Sequence, residues 1–243
     1  MKIIFQYVIN VFNKKFGFNR VFPIVLMRFM KKKELIEIVN ILKETYPDAM
    51  CSLDFDTPFE LLVSTILSAQ CTDERVNKVT PNLFKDFDTP KKIANMDINE
   101  LEDIIRPCGF YKNKAKNIKA AACMIVNDFN GEVPNNMDDL VKLPGCGRKT
   151  ANVVMLEAFK DPQGVAIDTH CKRICNRLGI SNESEPSKIE KDLLAILPKE
   201  YYYDVNHTFI WHGRNCCKSQ NPLCDKCSVR NYCKYIKEGK KKK

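Results

Sequence analysis

An all-α fold is predicted for this chain, on three observations. Apolar residues recur at helical spacing from Glu34 onward, and runs that alternate apolar and polar as a half-buried strand requires are nearly absent. Helix stop and start signals stand at Pro47, at Asp56-Thr57-Pro58 and at Asp168. The Tyr201-Tyr202-Tyr203 run is the one aromatic stretch that invites a strand, and its place between two helical patterns predicts packing between helices instead.

Taken in order, residues 1–29 are apolar and basic, with Lys2, Lys14, Lys15, Arg20 and Arg28 and no acid. They are expected outside the fold, as an extension upstream of Met30-Lys31-Lys32-Lys33 or, alternatively, as a transit segment, although they contain no Ser and more Lys than Arg. Leu35, Ile38, Val39, Ile41 and Leu42 line one helix face, which Pro47 ends. Asp56-Thr57-Pro58-Phe59-Glu60 supplies a cap and an early-helix proline for an apolar helix running to about Ala69. Amphipathic helices are expected at 73–84, 89–94, 98–106, 112–127 and 137–141, then at 148–159, 169–178, 189–197 and 206–212.

The 243 residues suffice for one large or two small cores, and no uncharged apolar run reaches the roughly 18 residues of a membrane span. The net charge of +9 is unevenly placed. Residues 1–33 hold eight Lys/Arg and no acid, and residues 234–243 hold six Lys and one Glu, which leaves 25 basic against 29 acidic residues between them. A nucleic-acid face on that body must therefore come from local clustering and backbone amides, with the basic tail adding nonspecific attraction.

Twelve cysteines in a helix-patterned chain of this size argue against a small secreted disulfide scaffold and for a reducing compartment. Cys51, Cys71, Cys108, Cys123, Cys146, Cys171, Cys175 and Cys216 are scattered among apolar or small neighbours, as core thiols are. Cys217, Cys224, Cys227 and Cys233 instead fall within 17 residues at x6-x2-x5 spacing. Four such thiolates can close on one centre, tetrahedral zinc or an iron–sulfur cube, and spacing alone does not choose between them. Cys216 is a rival ligand, while His207 and His212 fit no His-based metal motif.

Chemistry concentrates in Leu143-Pro144-Gly145-Cys146-Gly147-Arg148-Lys149-Thr150 and in Ala166-Ile167-Asp168-Thr169-His170. Gly145 and Gly147 are expected to permit positive φ and close approach of another backbone, in a hairpin opening directly into a helix. The free N–H groups and partial positive charge at that helix start make an anion site. Lys149, in the first turn, meets a field that disfavours an ammonium and favours the nucleophilic neutral amine. Asp168 stands where an N-cap belongs. Turn and cap chemistry accounts for each residue singly; together they outline a covalent active site beside a phosphate cradle.

These residues resemble the helix-hairpin-helix DNA glycosylases with a Gly/Pro-rich loop and a downstream aspartate, most closely the endonuclease III family. The likeness continues through Ser68-Ala69-Gln70-Cys71-Thr72-Asp73, Gly109-Phe110-Tyr111, Asn130-Gly131-Glu132-Val133-Pro134 and the C-terminal cysteines, and spans about residues 31–235. It implies two domains: a six-helix domain of residues 52–163 containing the hairpin, and a discontinuous iron–sulfur domain of residues 30–51 plus 164–243, with the active site in the cleft between. It implies a bifunctional DNA glycosylase and AP lyase that removes oxidised pyrimidines from duplex DNA, forms a Schiff base through Lys149 with help from Asp168, and cuts 3′ to the abasic site. Gln70 and Phe110 would fill the hole left by the flipped nucleotide, although the family more often has Leu where this chain has Phe110. Gly145, Gly147, Arg148 and His170 would contact DNA, and Lys112, Lys114, Lys116 and Lys119 are candidates for its backbone. The same likeness selects Cys217 over Cys216 and a [4Fe-4S] cluster over zinc, held by Cys217, Cys224, Cys227 and Cys233. A monomer is expected, without a membrane partner, acting on DNA with damaged pyrimidines or abasic sites. Its expected location is the bacterial cytoplasm, or a mitochondrion or nucleus if residues 1–29 are a transit segment.

Overall fold

The computed structural model describes residues 30–239, so the expectations for residues 1–29 and for the last four lysines lie outside the described residues. Among the described residues there are twelve α-helices, four short 3₁₀ turns and no strand. The helices are α1 (Lys32–Thr45), α2 (Pro58–Leu67), α3 (Asp73–Phe84), α4 (Pro90–Asn95), α5 (Ile98–Ile105), α6 (Tyr111–Asp128), α7 (Met137–Leu140), α8 (Arg148–Glu157), α9 (Thr169–Leu178), α10 (Pro186–Leu194), α11 (Tyr202–Asn215) and α12 (Lys234–Lys237). The tyrosine run forms a 3₁₀ turn, Lys199–Tyr201, and the first turn of α11, so its helical placement holds.

Local chemistry sets the helix starts. The side chains of Thr57, Thr72, Thr89, Asp97, Asn136 and Asp168 each accept a backbone N–H from the first turn of the helix they precede. Each such cap stabilises by roughly 0.5–2 kcal/mol. Helix α2 is buried on all sides from Phe59 to Leu67, as a helix without a polar face must be. Leu61, Leu62 and Leu67 are wholly inaccessible, and each such side chain contributes about 1.5–3 kcal/mol by burial.

Two apolar cores result. The first gathers Leu53, α2, the inner faces of α3 to α6, Leu140, Leu143 and Cys146 of the hairpin, and α8 as far as Met155. The second gathers Met30 and the inner face of α1 with Val165, Ile167, α9, α10, Val205, Phe209, Val229 and Cys233. Polar links join them: Arg148 to Glu190 at 2.7 Å, Arg214 to Asp73 at 2.9 Å, and Lys199 to Asp161 at 2.9 Å. His207 Nε2 also lies 2.7 Å from buried Glu157. No helix of the described residues is long and apolar enough to cross a membrane.

Candidate active-site cleft and metal centre

The hairpin between α7 and α8 is anchored by Leu143 and Cys146, each 2 % exposed. Burial pushes the Cys146 thiol up to about 12. Gly145 has φ +78, and a Cβ there would lie 3.0 Å from Asn117 Cβ, so both conformation and space require glycine. Gly147 corrects the expectation of positive φ. It is an extended N-cap residue with φ −77, and a Cβ there would meet nothing within 4 Å. It stands at the helix start, and no side chain caps α8, which leaves the first-turn N–H groups without a side-chain acceptor.

Arg148 and Lys149 occupy that first turn and are exposed. They line an open cleft of about 280 Å³ with Asn152, Val165, Ile167, Glu185, Pro186, Ser187 and Glu190. Asp168, half-buried, follows Ile167 and caps α9, its Oδ1 accepting from Cys171 N at 2.7 Å. The lysine thus stands on one wall of the cleft, and the segment ending in the aspartate forms part of the other.

Glu190, 4 % exposed, binds these walls together. Its carboxylate accepts from Arg148 Nε at 2.7 Å and Nη2 at 3.2 Å, from Asn152 Nδ2 at 2.9 Å and from Val165 N at 3.3 Å. Gly164 permits the approach, since a Cβ there would sit 2.2 Å from Glu190 Oε1. Glu190, Asn152 and Gly164 were not among the residues expected from sequence. A signal existed: Glu190 shares the apolar register of Ile189 and Leu193, where a carboxylate belongs only if it has partners.

Gln70 follows the end of α2 and Phe110 precedes α6, both exposed and both with left-handed backbone, φ 54 and φ 47. Phe110 is 66 % exposed. The four lysines expected on the DNA backbone divide. Lys112 and Lys116 are exposed, whereas Lys114 is buried and donates to Leu67 O and Cys108 O, a correction to its expected place on the surface. Lys119 is half-buried and donates to Ala94 O and Met96 O, so it ties α6 to the end of α4. His170 packs against Gly213, with its Nδ1 3.1 Å from Arg173 Nη2. A guanidinium only donates, so Nδ1 accepts and the ring proton sits on Nε2.

Cys216, Cys217, Cys224, Cys227 and Cys233 all line one small cavity of about 20 Å³, together with Ile174, Arg177, His212 and Tyr235. Five convergent thiols in a largely apolar wall form a donor set suited to a thiolate-ligated centre. The rival thiol is close: Cys216, Cys227 and His212 present ligand atoms within 4.8 Å of one another. Cys217 Sγ instead receives Arg177 Nη1 at 3.3 Å, and Cys233 Sγ lies 3.3 Å from Arg177 O. Burial, with Arg173 nearby, lowers the His212 imidazole to about 4.

Comparison with known proteins bears on this arrangement. Residues 63–199 match the HhH-GPD superfamily of base excision DNA repair proteins. The chain is 49 % identical over 203 residues to Endonuclease III of Synechocystis sp., covering 84 % of this chain and 93 % of the relative. It is 38 % identical over 206 residues to Endonuclease III of Escherichia coli strain K12, covering 85 % and 97 %. Among solved structures it is similar to a non-covalent Endonuclease III–DNA complex, with TM-score 0.81 and 42 % identity over 86 % of this chain and 98 % of the other. It is equally similar to a trapped Endonuclease III–DNA covalent intermediate, an estranged-adenine complex, with TM-score 0.81 and 42 % identity over 86 % and 99 %.

Proposed function

The chain belongs to the endonuclease III family, within the HhH-GPD superfamily of base excision DNA repair proteins, and from that premise we propose how its own residues carry out glycosylase and AP lyase chemistry. It is a base-excision repair enzyme whose substrate is duplex DNA carrying an oxidised pyrimidine or an abasic site. The observation that carries the assignment is Lys149, exposed in the first turn of α8 across a cleft from the segment that ends in Asp168.

The damaged nucleotide leaves the stack so that its C1′ reaches the cleft. The neutral amine of Lys149 attacks C1′, and the bond to the damaged base breaks. Asp168 assists, either as the base for the amine or by stabilising positive charge on the opening sugar. The C1′–O4′ bond then breaks, O4′ takes the proton released by the amine, and the resulting Schiff base acidifies the C2′ proton; loss of that proton breaks the C3′–O bond and cuts the strand by β-elimination. The uncapped N–H groups behind Gly145 and Gly147, with Arg148, take a phosphate. His170 donates from Nε2 to another. Gln70 meets the orphaned base, and Phe110 holds the step open.

Cys217, Cys224, Cys227 and Cys233 would hold a [4Fe-4S] cluster, which supplies a structural pin for the loop carrying Lys218, Lys226 and Arg230. We take the domain boundaries to lie near Ser52 and Gly164, a division that the separation of the two apolar cores supports. The protein acts as a monomer in the bacterial cytoplasm, or in a mitochondrion or nucleus if residues 1–29 are a transit segment.

Borohydride trapping on a duplex with one thymine glycol or abasic site tests this assignment. Wild type is expected to give a covalent protein–DNA adduct and Lys149→Ala none, with the variant still folded because the side chain is exposed. Trapping by Lys149→Ala at the wild-type level overturns the assignment of the nucleophile.

A further inference from the structure

Lys114 is 5 % exposed and has no carboxylate partner. Its ammonium donates at 2.8 Å to Leu67 O, on the last residue of α2, and at 2.9 Å to Cys108 O, on the last residue of the 3₁₀ turn Arg106–Cys108. Both are carbonyl ends of helical segments, where partial negative charge accumulates and a cation is favoured. None of the turn hydrogen bonds that follow ends on either carbonyl, so the lysine is what satisfies them. Its own backbone N–H donates to Phe110 O at 3.2 Å.

The two strands of chain that Lys114 joins have one thing in common. Three residues beyond Leu67 is Gln70, and two beyond Cys108 is Phe110; both are non-glycine residues in the left-handed region. Such backbone persists only where the surroundings over-determine it, and it gathers at functional sites. Phe110 in addition holds a large apolar ring in water. Around it, Arg106 stacks over the Tyr111 ring at 5.1 Å, and Gly109, at φ +67, makes the bend. Burial costs the ammonium, and its pKa is lowered accordingly, yet the position keeps a lysine where a hydrophobe would fill the same space.

We propose that Lys114 is a positioning residue that ties the Gln70 and Phe110 loops into one preorganised device, so that the two side chains enter the duplex together. This rests on the assignment of Gln70 and Phe110 as the inserting pair. The lysine touches neither substrate nor the reacting atoms. Its effect is therefore confined to DNA whose stack must be opened, and absent where no partner strand has to be held apart.

The experiment compares cleavage of one abasic site in a duplex and in a single strand, for the full chain and for Lys114→Met, which keeps the stem and removes the donor. The expected result is a fall of about 10- to 100-fold in the duplex-to-single-strand ratio of kcat/KM, the scale set by misplacing a positioning group. In parallel, 2-aminopurine opposite the lesion should brighten on binding wild type and stay quenched with the variant. Equal losses on both substrates, or no loss on either, overturn the proposal. Should Lys114→Met not fold, the cycle of Gln70→Ala and Phe110→Ala, both at exposed positions, decides. A coupled pair loses little more in the double variant than in the more severe single one, and strictly additive losses refute the coupling. A wild type that cuts neither substrate overturns the lyase assignment itself, and this proposal with it.

Discussion

Replacing Glu190 by alanine should loosen the cleft without touching Lys149. The carboxylate serves four donors, and two of them have nowhere else to turn: Asn152 is 2 % exposed and Val165 is wholly buried. A buried donor left unpaired costs about 1–3 kcal/mol, so the pair amounts to about 2–6 kcal/mol. The Arg148 side chain is 56 % exposed and rehydrates when released, so it adds little. For a chain of this size each kcal/mol moves the midpoint by about 2–4 °C, and a Tm lower by roughly 4–24 °C is expected. Glu190→Gln, whose amide oxygen can still accept from Asn152 or Val165, should fall between wild type and alanine. Thermal unfolding followed by far-ultraviolet circular dichroism reads the loss, and borohydride trapping below the transition reads the cleft. The wall carrying Arg148 and Lys149 would no longer be fastened to Val165, so trapping should slow in Glu190→Ala even where it is fully folded. A midpoint within about 1 °C of wild type, with unchanged trapping, would refute the view that Glu190 joins the two walls.

Three further outcomes are expected. Gly164→Ala, whose Cβ would fall 2.2 Å from Glu190 Oε1 and 2.9 Å from Asn152 Oδ1, should destabilise by about 1–3 kcal/mol, read by urea unfolding. Cys146 should stay unmodified by iodoacetamide at pH 8 in the native protein, because its thiol is raised to about 12 and remains protonated there; peptide mass mapping before and after denaturation checks this. Cys217→Ser should lose bound iron and its visible colour, whereas Cys216→Ser should keep both. Metal analysis of anaerobically purified protein would show the reverse if Cys216, beside Cys227 and His212, is the true ligand.

Much of this molecule was legible in the order of its residues, because helices are local. A cap and its first turn, or one apolar face, involve residues within four of each other, so Thr57 announces α2 and Asp168 announces α9 at their observed starts. The hairpin placed Lys149 in a first turn for the same reason, and the cysteine spacing announced a convergence of thiols because those residues lie on one short loop. What tertiary structure alone decided involves distant partners. Arg148 meets Glu190 across 42 residues, and Lys114 meets Leu67 across 47. Neither pairing has a local signature, since a buried charge is tolerable only where the fold happens to bring its donors or acceptors, and that depends on how two cores pack. Gly147 makes the same point from the other side: its identity suggested a left-handed turn, yet its φ of −77 comes from its place as the start of α8. By itself the sequence determined the helices, the first-turn place of Lys149 and the family; only packing decided that Lys114 lies buried against Leu67 O and that Glu190 fastens Arg148, Asn152 and Val165 together.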